Sequence, residues 1–312
     1  MKEELVESEI CVFCGTSNLK ILIQAKALPD GVNVLKCRDC GLVFLESRSD
    51  VDELDPEETA YWDNEEQEKI YREDKIEEIF IREFESRLST IEQYVHGTGK
   101  LLDVGCGVGH FLAASKKRGW TVQGLDISHA AQKAARQAYG LDVQVGTLEN
   151  SALQTGSFDA VTLWDVIEHI RRPIENVRAA NRLLRVGGIL VMKTPNELSL
   201  FKQAVLAFYR LFGDRAAFLL KYLYYVPHYF SYSKRNMDIL LDRCGFQAIS
   251  YEADETPQEF AIEKINVHYK KDPKRSFVIA LLPVASFLGR VFRRKNKMVV
   301  YARKVREVSE RG

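Results

Sequence analysis

Residues 101–109 read Leu-Leu-Asp-Val-Gly-Cys-Gly-Val-Gly, a short apolar run that ends in three glycines at alternate positions. After a buried strand, Gly105, Gly107 and Gly109 let the backbone turn tightly and bring a ligand close to main-chain N–H groups at the start of the next helix. The flanking sequence extends this strand-turn-helix unit in both directions. Strand-like runs near 100–105, 121–126, 142–146, 158–165 and 188–194 alternate with helical patterns near 109–119, 128–139 and 174–185. Such alternation predicts βαβ units and an α/β fold with a doubly wound, mostly parallel sheet and helices on both faces. Further on, Ser233 to Cys244 reads as a helix ending at Gly245, and Phe246 to Tyr251 and Met298 to Arg303 read as the last two strands.

The glycine turn alone is shared with dinucleotide-binding enzymes, whose spacing is Gly-x-Gly-x-x-Gly. Asp103 separates the two classes, because a carboxylate there would repel a pyrophosphate but suits the amino acid part of a zwitterionic cofactor. In Gly124-Leu125-Asp126-Ile127-Ser128, a second carboxylate follows the turn by about twenty residues, where it can accept hydrogen bonds from both hydroxyls of a ribose. The alternative for Asp126 is a helix N-cap, a role that Ser128 can fill as well.

With these residues the chain resembles the class I S-adenosylmethionine-dependent methyltransferases over most of residues 97–304. Val145 to Glu149 resembles the loop that meets adenine. Phe158 to Ile170, followed by Pro173, resembles the fourth strand and the Glu-His-x-x-x-Pro segment of a subgroup that includes quinone and small-molecule O-methyltransferases. Leu183 to Val191 and Thr194-Pro195-Asn196 resemble the fifth strand and its flanks. The resemblance implies a seven-stranded Rossmann-like sheet and S-adenosylmethionine as cofactor. The residues it implies at the cofactor are Asp103, Gly105, Cys106, Gly107, Gly109, Asp126, Ile127, Thr147, Leu148, Trp164 and Asp165. Trp164 either flanks the cofactor or fills the sheet core. His169 is the candidate general base, since it stands where open α/β sheets place their chemistry; the alternative is a helix-start histidine bonded to backbone. His228, before Tyr229-Phe230-Ser231, resembles the family's substrate-side His-x-x-x-Phe-Ser region, or is an interface anchor.

Four cysteines precede this domain as Cys11-x-x-Cys14-Gly15 and Cys37-x-x-Cys40-Gly41, two knuckles whose glycines permit the turn around a tetrahedral metal. The short β-like stretches between them, Leu19 to Ile23 and Val32 to Leu35, are too few to fold on apolar burial alone, so thiolate ligation of a structural Zn2+ would supply the missing energy. A closed set of four thiolates leaves no position for catalysis. Such a zinc ribbon resembles leaders of some bacterial sugar and polysaccharide-pathway methyltransferases and the metal module of certain ribosomal RNA methyltransferases.

The chain thus divides into a zinc-ribbon module at 1–48, an acidic linker with an amphipathic helix at 49–96, a methyltransferase domain at 97–306 and a tail at 307–312. In the linker, Asp50 to Glu68 is rich in acids, and Ile76, Phe80, Phe84, Leu88, Ile91 and Val95 recur at helical spacing. Within the domain, residues 198–226 and 274–297 are apolar and basic, the composition of a membrane-interface segment, of lid helices over the site or of a dimer contact. The stretch Phe277 to Leu288 is interrupted by Pro283. No apolar run reaches the roughly 18 residues that span a bilayer, and no secretory signal opens the chain, so it reads as cytoplasmic with peripheral attachment to an anionic inner membrane face. Zero net charge and the acidic stretch argue against nucleic acid. The leading function is O-methylation of a small-molecule, glycan or lipid-linked acceptor. The alternatives are an RNA methyltransferase docking through the ribbon and a non-catalytic cofactor sensor or membrane scaffold. The motifs leave acceptor atom and oligomeric state open.

Overall fold

The computed structural model describes residues 9–46, 74–224 and 227–308; the acidic stretch Asp50 to Glu68 lies outside them. After a long helix α1 (Asp74–Val95) come β4 (Lys100–Val104), α2 (His110–Lys117), β5 (Thr121–Asp126), α3 (His129–Tyr139), β6 (Val143–Val145), β7 (Phe158–Trp164), α4 (Pro173–Leu183) and β8 (Leu184–Pro195). These βαβ units make the parallel part of a seven-stranded sheet ordered β10-β11-β8-β7-β4-β5-β6. Its other edge is antiparallel: β11 (Lys297–Lys304) lies between β8 and β10 (Phe246–Asp254), so the chain's last described strand is inserted into the sheet. The predicted fold class stands.

Sheet strands buried on both faces explain the apolar runs, with Leu101, Leu102, Ala160, Val161, Leu190, Val191 and Val300 all at 0 % exposure. Helix α1 covers one face through Phe84, Leu88 and Ile91, which pack with Phe111, Val191 and Tyr301. Its attachment is also ionic. Lys193 of β8 is paired with Glu83 and with Asp254 (3.1 Å), and Arg87 with Glu252 and Asp254 (3.0 Å).

The cysteine segment folds as β1 (Leu19–Ile23), β2 (Val34–Cys37) and β3 (Val43–Leu45), and its antiparallel sheet takes a fourth strand from far along the chain, β9 (Phe230–Ser231). The stretch expected as a strand at Val32 to Leu35 begins instead at Val34. The reason is Asn33, whose side chain accepts from the Ala25 amide (2.7 Å) and donates to Glu46 (2.8 Å), a corner rather than a strand position. Between β8 and β11 stand α5 (Leu200–Phe212), α6 (Lys234–Arg243), α7 (Gln258–His268) and α8 (Arg275–Val291). Helix α8 runs through Pro283. A proline inside a helix forfeits one hydrogen bond, which here is the one Ile279 would accept, and α8 tolerates it while packed against α5 and α7.

Candidate active site

The glycine turn closes at the carboxyl end of β4. Gly105, Gly107 and Gly109 have φ of 65°, 51° and 87°, the left-handed region in which side chains are strained. A Cβ on Gly105 would also lie 2.5 Å from Val166 Cγ2. The turn is pinned to the next strand by Asp126, whose two carboxylate oxygens accept from the amides of Gly107 (2.8 Å) and Ser128 (2.9 Å). Ser128, not Asp126, caps α3, accepting from the Ala131 amide at 3.0 Å. Asp103 is 2 % exposed and accepts from Thr162 Oγ1 at 2.6 Å. Burial raises its carboxyl to about 8, which the Thr162 bond only partly offsets, and the charge of Asp126 adds to the rise. Cys106, inside the turn, is buried, and burial pushes its thiol up.

The second wall descends from β7. Trp164 lies against Phe84 (ring centroids 5.6 Å apart) and Phe111 (4.9 Å), and its buried Nε1 has no hydrogen-bond partner among the described residues. Asp165 is a non-glycine residue at φ 58°, ion-paired with Lys297. Burial opposes its charge, but Lys297 and Lys193 outweigh it and hold the carboxyl below its usual range. Glu168 is fully buried: Oε2 accepts from Thr194 (3.0 Å), Oε1 has no hydrogen-bond partner among the described residues, and Lys297 Nζ stands 3.9 Å from Oε1. Burial raises this carboxyl to about 7 against the pull of Lys297.

His169 and His228, separated by 59 positions in sequence, meet edge to face with ring centroids 4.6 Å apart. His169 Nδ1 is 3.1 Å from the Pro227 carbonyl, which can only accept, so Nδ1 carries the proton and Nε2 the lone pair. Burial lowers the His169 imidazole to about 3 despite that bond, and lowers His228 further below its usual value. Both rings are neutral in water near pH 7.

Most of these groups line one cavity of about 1310 Å³, with Gly109, Thr162 and Thr194 outside its lining. At one end are the glycine turn, Asp126, Ile127, Thr147 and Leu148; at the other, His169, His228, Lys264 and the α8 face of Val278, Leu282 and Ala285. Apart from Gly109, every residue that the sequence motifs assign to a cofactor, and both candidate catalytic histidines, border the same space. Sequence reasoning missed Phe84, Phe111, Thr162, Thr194, Lys193 and Lys297. The aromatic pair carried a signal, its helical spacing, which reads as core. Lys297 lies 132 positions from Asp165 and carried none.

The four cysteines converge apart from this cavity. Sγ of Cys11 is 3.5 Å from Cys40 and Sγ of Cys14 is 3.5 Å from Cys37, and all four sulfurs lie within 4.8 Å of one another. Sulfurs on a tetrahedron of radius about 2.3 Å stand a little under 4 Å apart, so the set fits zinc. Gly15 and Gly41, at φ 72° and 79°, donate their amides to the carbonyls of Cys11 and Cys37 and close the two knuckles.

The turn geometry predicts unequal costs along it. Gly107→Ala faces open space and should lose about 1–2 kcal/mol from its left-handed φ alone, whereas Gly105→Ala adds the clash with Val166 and should lose more. Urea denaturation of the two variants measures the difference. Equal losses would contradict the close packing of Gly105 on Val166.

Comparison with known proteins identifies the family of the domain. The family model for the methyltransferase domain matches residues 60–251. A ubiquinone biosynthesis O-methyltransferase of Xanthomonas oryzae is 38% identical over 103 residues, covering 31% of this chain and 43% of that protein. One from Histophilus somni is 33% identical over 123 residues, covering 36% and 52%. The chain thus spans about half the length of these curated relatives or less. Among solved structures, a candidate methyltransferase of Bacillus halodurans superposes with a TM-score of 0.52 at 22% identity, over 70% of this chain and 99% of that one, a likeness of fold. With the model matching well over half of its 312 residues, this chain belongs to the methyltransferase domain family.

Proposed function

We propose that the protein is an S-adenosylmethionine-dependent methyltransferase that methylates an oxygen of a bulky acceptor, glycan or lipid-linked in character. The observation that carries this reading is one cavity with two differently built ends. Asp103, Asp126 and the glycine turn form the end suited to a zwitterionic nucleoside, and paired neutral histidines beside an apolar helix form the other. The curated relatives, O-methyltransferases by name, favour oxygen as the acceptor atom.

The residues fit the cofactor. Asp126 holds the amides of Gly107 and Ser128, one on each oxygen, and a carboxylate so placed can also accept from ribose hydroxyls. Asp103 would meet the amino group, Ile127, Thr147 and Leu148 the base, and Cys106, Trp164 and Asp165 the remaining wall. When bound, the cofactor supplies an electrophilic methyl group, and the protein's task is alignment and removal of a proton. His169 Nε2 accepts that proton from the acceptor hydroxyl, with Nδ1–H held by Pro227. An imidazole lowered to about 3 is a weak base alone. Ionised Glu168, whose carboxyl oxygen lies within 4.8 Å of the His169 and His228 nitrogens, raises its proton affinity.

The acceptor end supports peripheral membrane association. Helix α8 turns Val278, Leu282 and Ala285 to the cavity, while Phe277, Val284, Phe287 and Val291 on its opposite side are exposed. Phe208, Leu211 and Phe212 of the adjoining α5 extend the apolar surface, and Arg290, Arg293, Arg294 and Lys295 border it. Among the described residues no helix is long and apolar enough to cross a membrane. An apolar face rimmed by cations is the pattern of a helix lying in an anionic interface, and it would put a lipid-linked acceptor at the cavity mouth.

Incubation of the purified protein with methyl-labelled cofactor and lipid, polysaccharide and RNA fractions tests the activity. Label is expected in lipid or polysaccharide; label in RNA alone would overturn the acceptor class, and none anywhere would overturn the enzyme. Because the Glu168 carboxyl is raised to about 7, it is neutral below that pH and ionised above, so turnover should rise through about pH 7. Glu168→Gln should flatten that limb, and His169→Ala should cost about 100-fold or more in turnover with cofactor affinity retained. Full turnover in His169→Ala would remove the base. For the membrane surface, co-sedimentation with anionic liposomes should be strong at low salt and weaken at high salt, and Phe287→Glu should abolish it. No sedimentation at either salt concentration would refute the association.

A further inference from the structure

The zinc ribbon is bound into the acceptor side of the cavity. Its strand β3 pairs with β9 (Val43↔Ser231, Phe44↔Phe230), and the Leu45 amide donates to Tyr229 O at 2.9 Å. Phe13, lying between two zinc-site cysteines in sequence, stacks on Phe230 and touches Tyr232, with centroids 6.4 and 6.1 Å apart. From there two bonds lead to the catalytic turn: Tyr232 Oη donates to Ile167 O (3.2 Å), and His169 Nδ1 to Pro227 O (3.1 Å). Ribbon residues Ile23, Leu28, Val34, Val43 and Leu45 also share one apolar cluster with Val205, Leu206, Leu219, Leu220 and Val278 of the cavity's covering segments. Arg235 and Arg243 of α6 donate to the carbonyls of Asp39 and Phe13. Finally, Pro29 and Asp30 of the ribbon line the cavity themselves.

We infer that the zinc ribbon is the scaffold of the acceptor wall: the metal fixes Phe13 and β3, these fix β9, and β9 sets His228 and the 167–169 turn, while Pro29 and Asp30 bring a ribbon surface to the acceptor. Such a metal stabilises substrate geometry without touching substrate. The two knuckles that carry Phe13 and lead into β3 are closed by the ligated metal, so loss of zinc loosens them and releases β9 first. The cofactor end is built on β4, β5 and α3, and the bonds described for it stay within them and β7: Asp126 is tied to Gly107 and Ser128, and Asp103 to Thr162. The two ends of one cavity therefore depend on different parts of the fold. This inference rests on the cofactor reading of the glycine-turn end.

Zinc removal from the full chain by chelator under reducing conditions tests it, with three readouts. Amide hydrogen exchange at 229–231 and 43–45 should accelerate at least tenfold. The ring resonances of His169 and His228 should move, while those of His110, bonded to Tyr139 Oη at 2.7 Å beside the glycine turn, should not. Affinity for S-adenosylhomocysteine should change less than about threefold, and added zinc should restore the rest. Should the metal-free protein unfold altogether, Phe13→Ala, which keeps all four cysteines, should give the same pattern with zinc still bound one to one. Unchanged exchange and unchanged His169 and His228 resonances in both would overturn the scaffold, as would loss of homocysteine-cofactor binding in step with them. Failure of the untreated protein to bind S-adenosylhomocysteine would instead overturn the cofactor reading, since the exchange and resonance readouts do not depend on it.

Discussion

The Asp126 carboxylate is the point on which the glycine-turn end of the site depends. It accepts amides from two segments, the turn after β4 and the start of α3 after β5, and so fixes the gap between two adjacent parallel strands at their carboxyl ends. A buried carboxylate without donors is costly, and with two amide donors it becomes a rigid joint. The left-handed glycines on one side and the Ser128 cap on the other give that joint its shape. In open α/β sheets ligands bind in such a crevice at the strand ends, and here Asp103 adds a second carboxyl within it.

Around the joint the wall is held by charges that are buried and paired. Lys193 bridges α1 to β8 and β10 through Glu83 and Asp254; burial opposes its charge, but Asp165, Glu83 and Asp254 outweigh that cost. Lys297 does the same for Asp165 and stands near Glu168. Removing one member of such a set would leave the other as an uncompensated charge, so these lysines fix the direction of the β7 turn more than they add stability. Because β11 and β8 are neighbours in the sheet, Lys297 and Lys193 enter the site from adjacent strands. The acceptor end is held differently, by aromatic contacts and backbone pairing that run back to the ribbon.

The parallel strands, their helices and the four cysteines were legible in the sequence because each carries a local pattern: a continuous apolar run, a period near 3.6, or a Cys-x-x-Cys with its glycine. The glycine turn and Asp126 were legible for the same reason, through spacing. What escaped is non-local. Strand β9 is two residues long and has no period, so its pairing with β3 cannot be read from either segment. The Lys297–Asp165 pair and the meeting of His169 with His228 depend on the sheet order and on where β9 leaves the ribbon. Phe84 and Phe111 look like core at helical spacing, and they are core on one side and cavity wall on the other. The four cysteines converge as their spacing predicts, in a set that could hold zinc, but the ribbon's spatial relation to the site was not in its sequence.

The central claim is that the Asp126 joint builds a site for a zwitterionic nucleoside. Calorimetric titration with S-adenosylhomocysteine, comparing the natural protein with Asp126→Asn and Asp126→Ala, tests it most directly. The account predicts one site per chain and at least a tenfold weaker affinity in Asp126→Asn, weaker still in Asp126→Ala, with both variants folded by circular dichroism. Equal affinity in all three proteins, or no binding to the natural one, would contradict it.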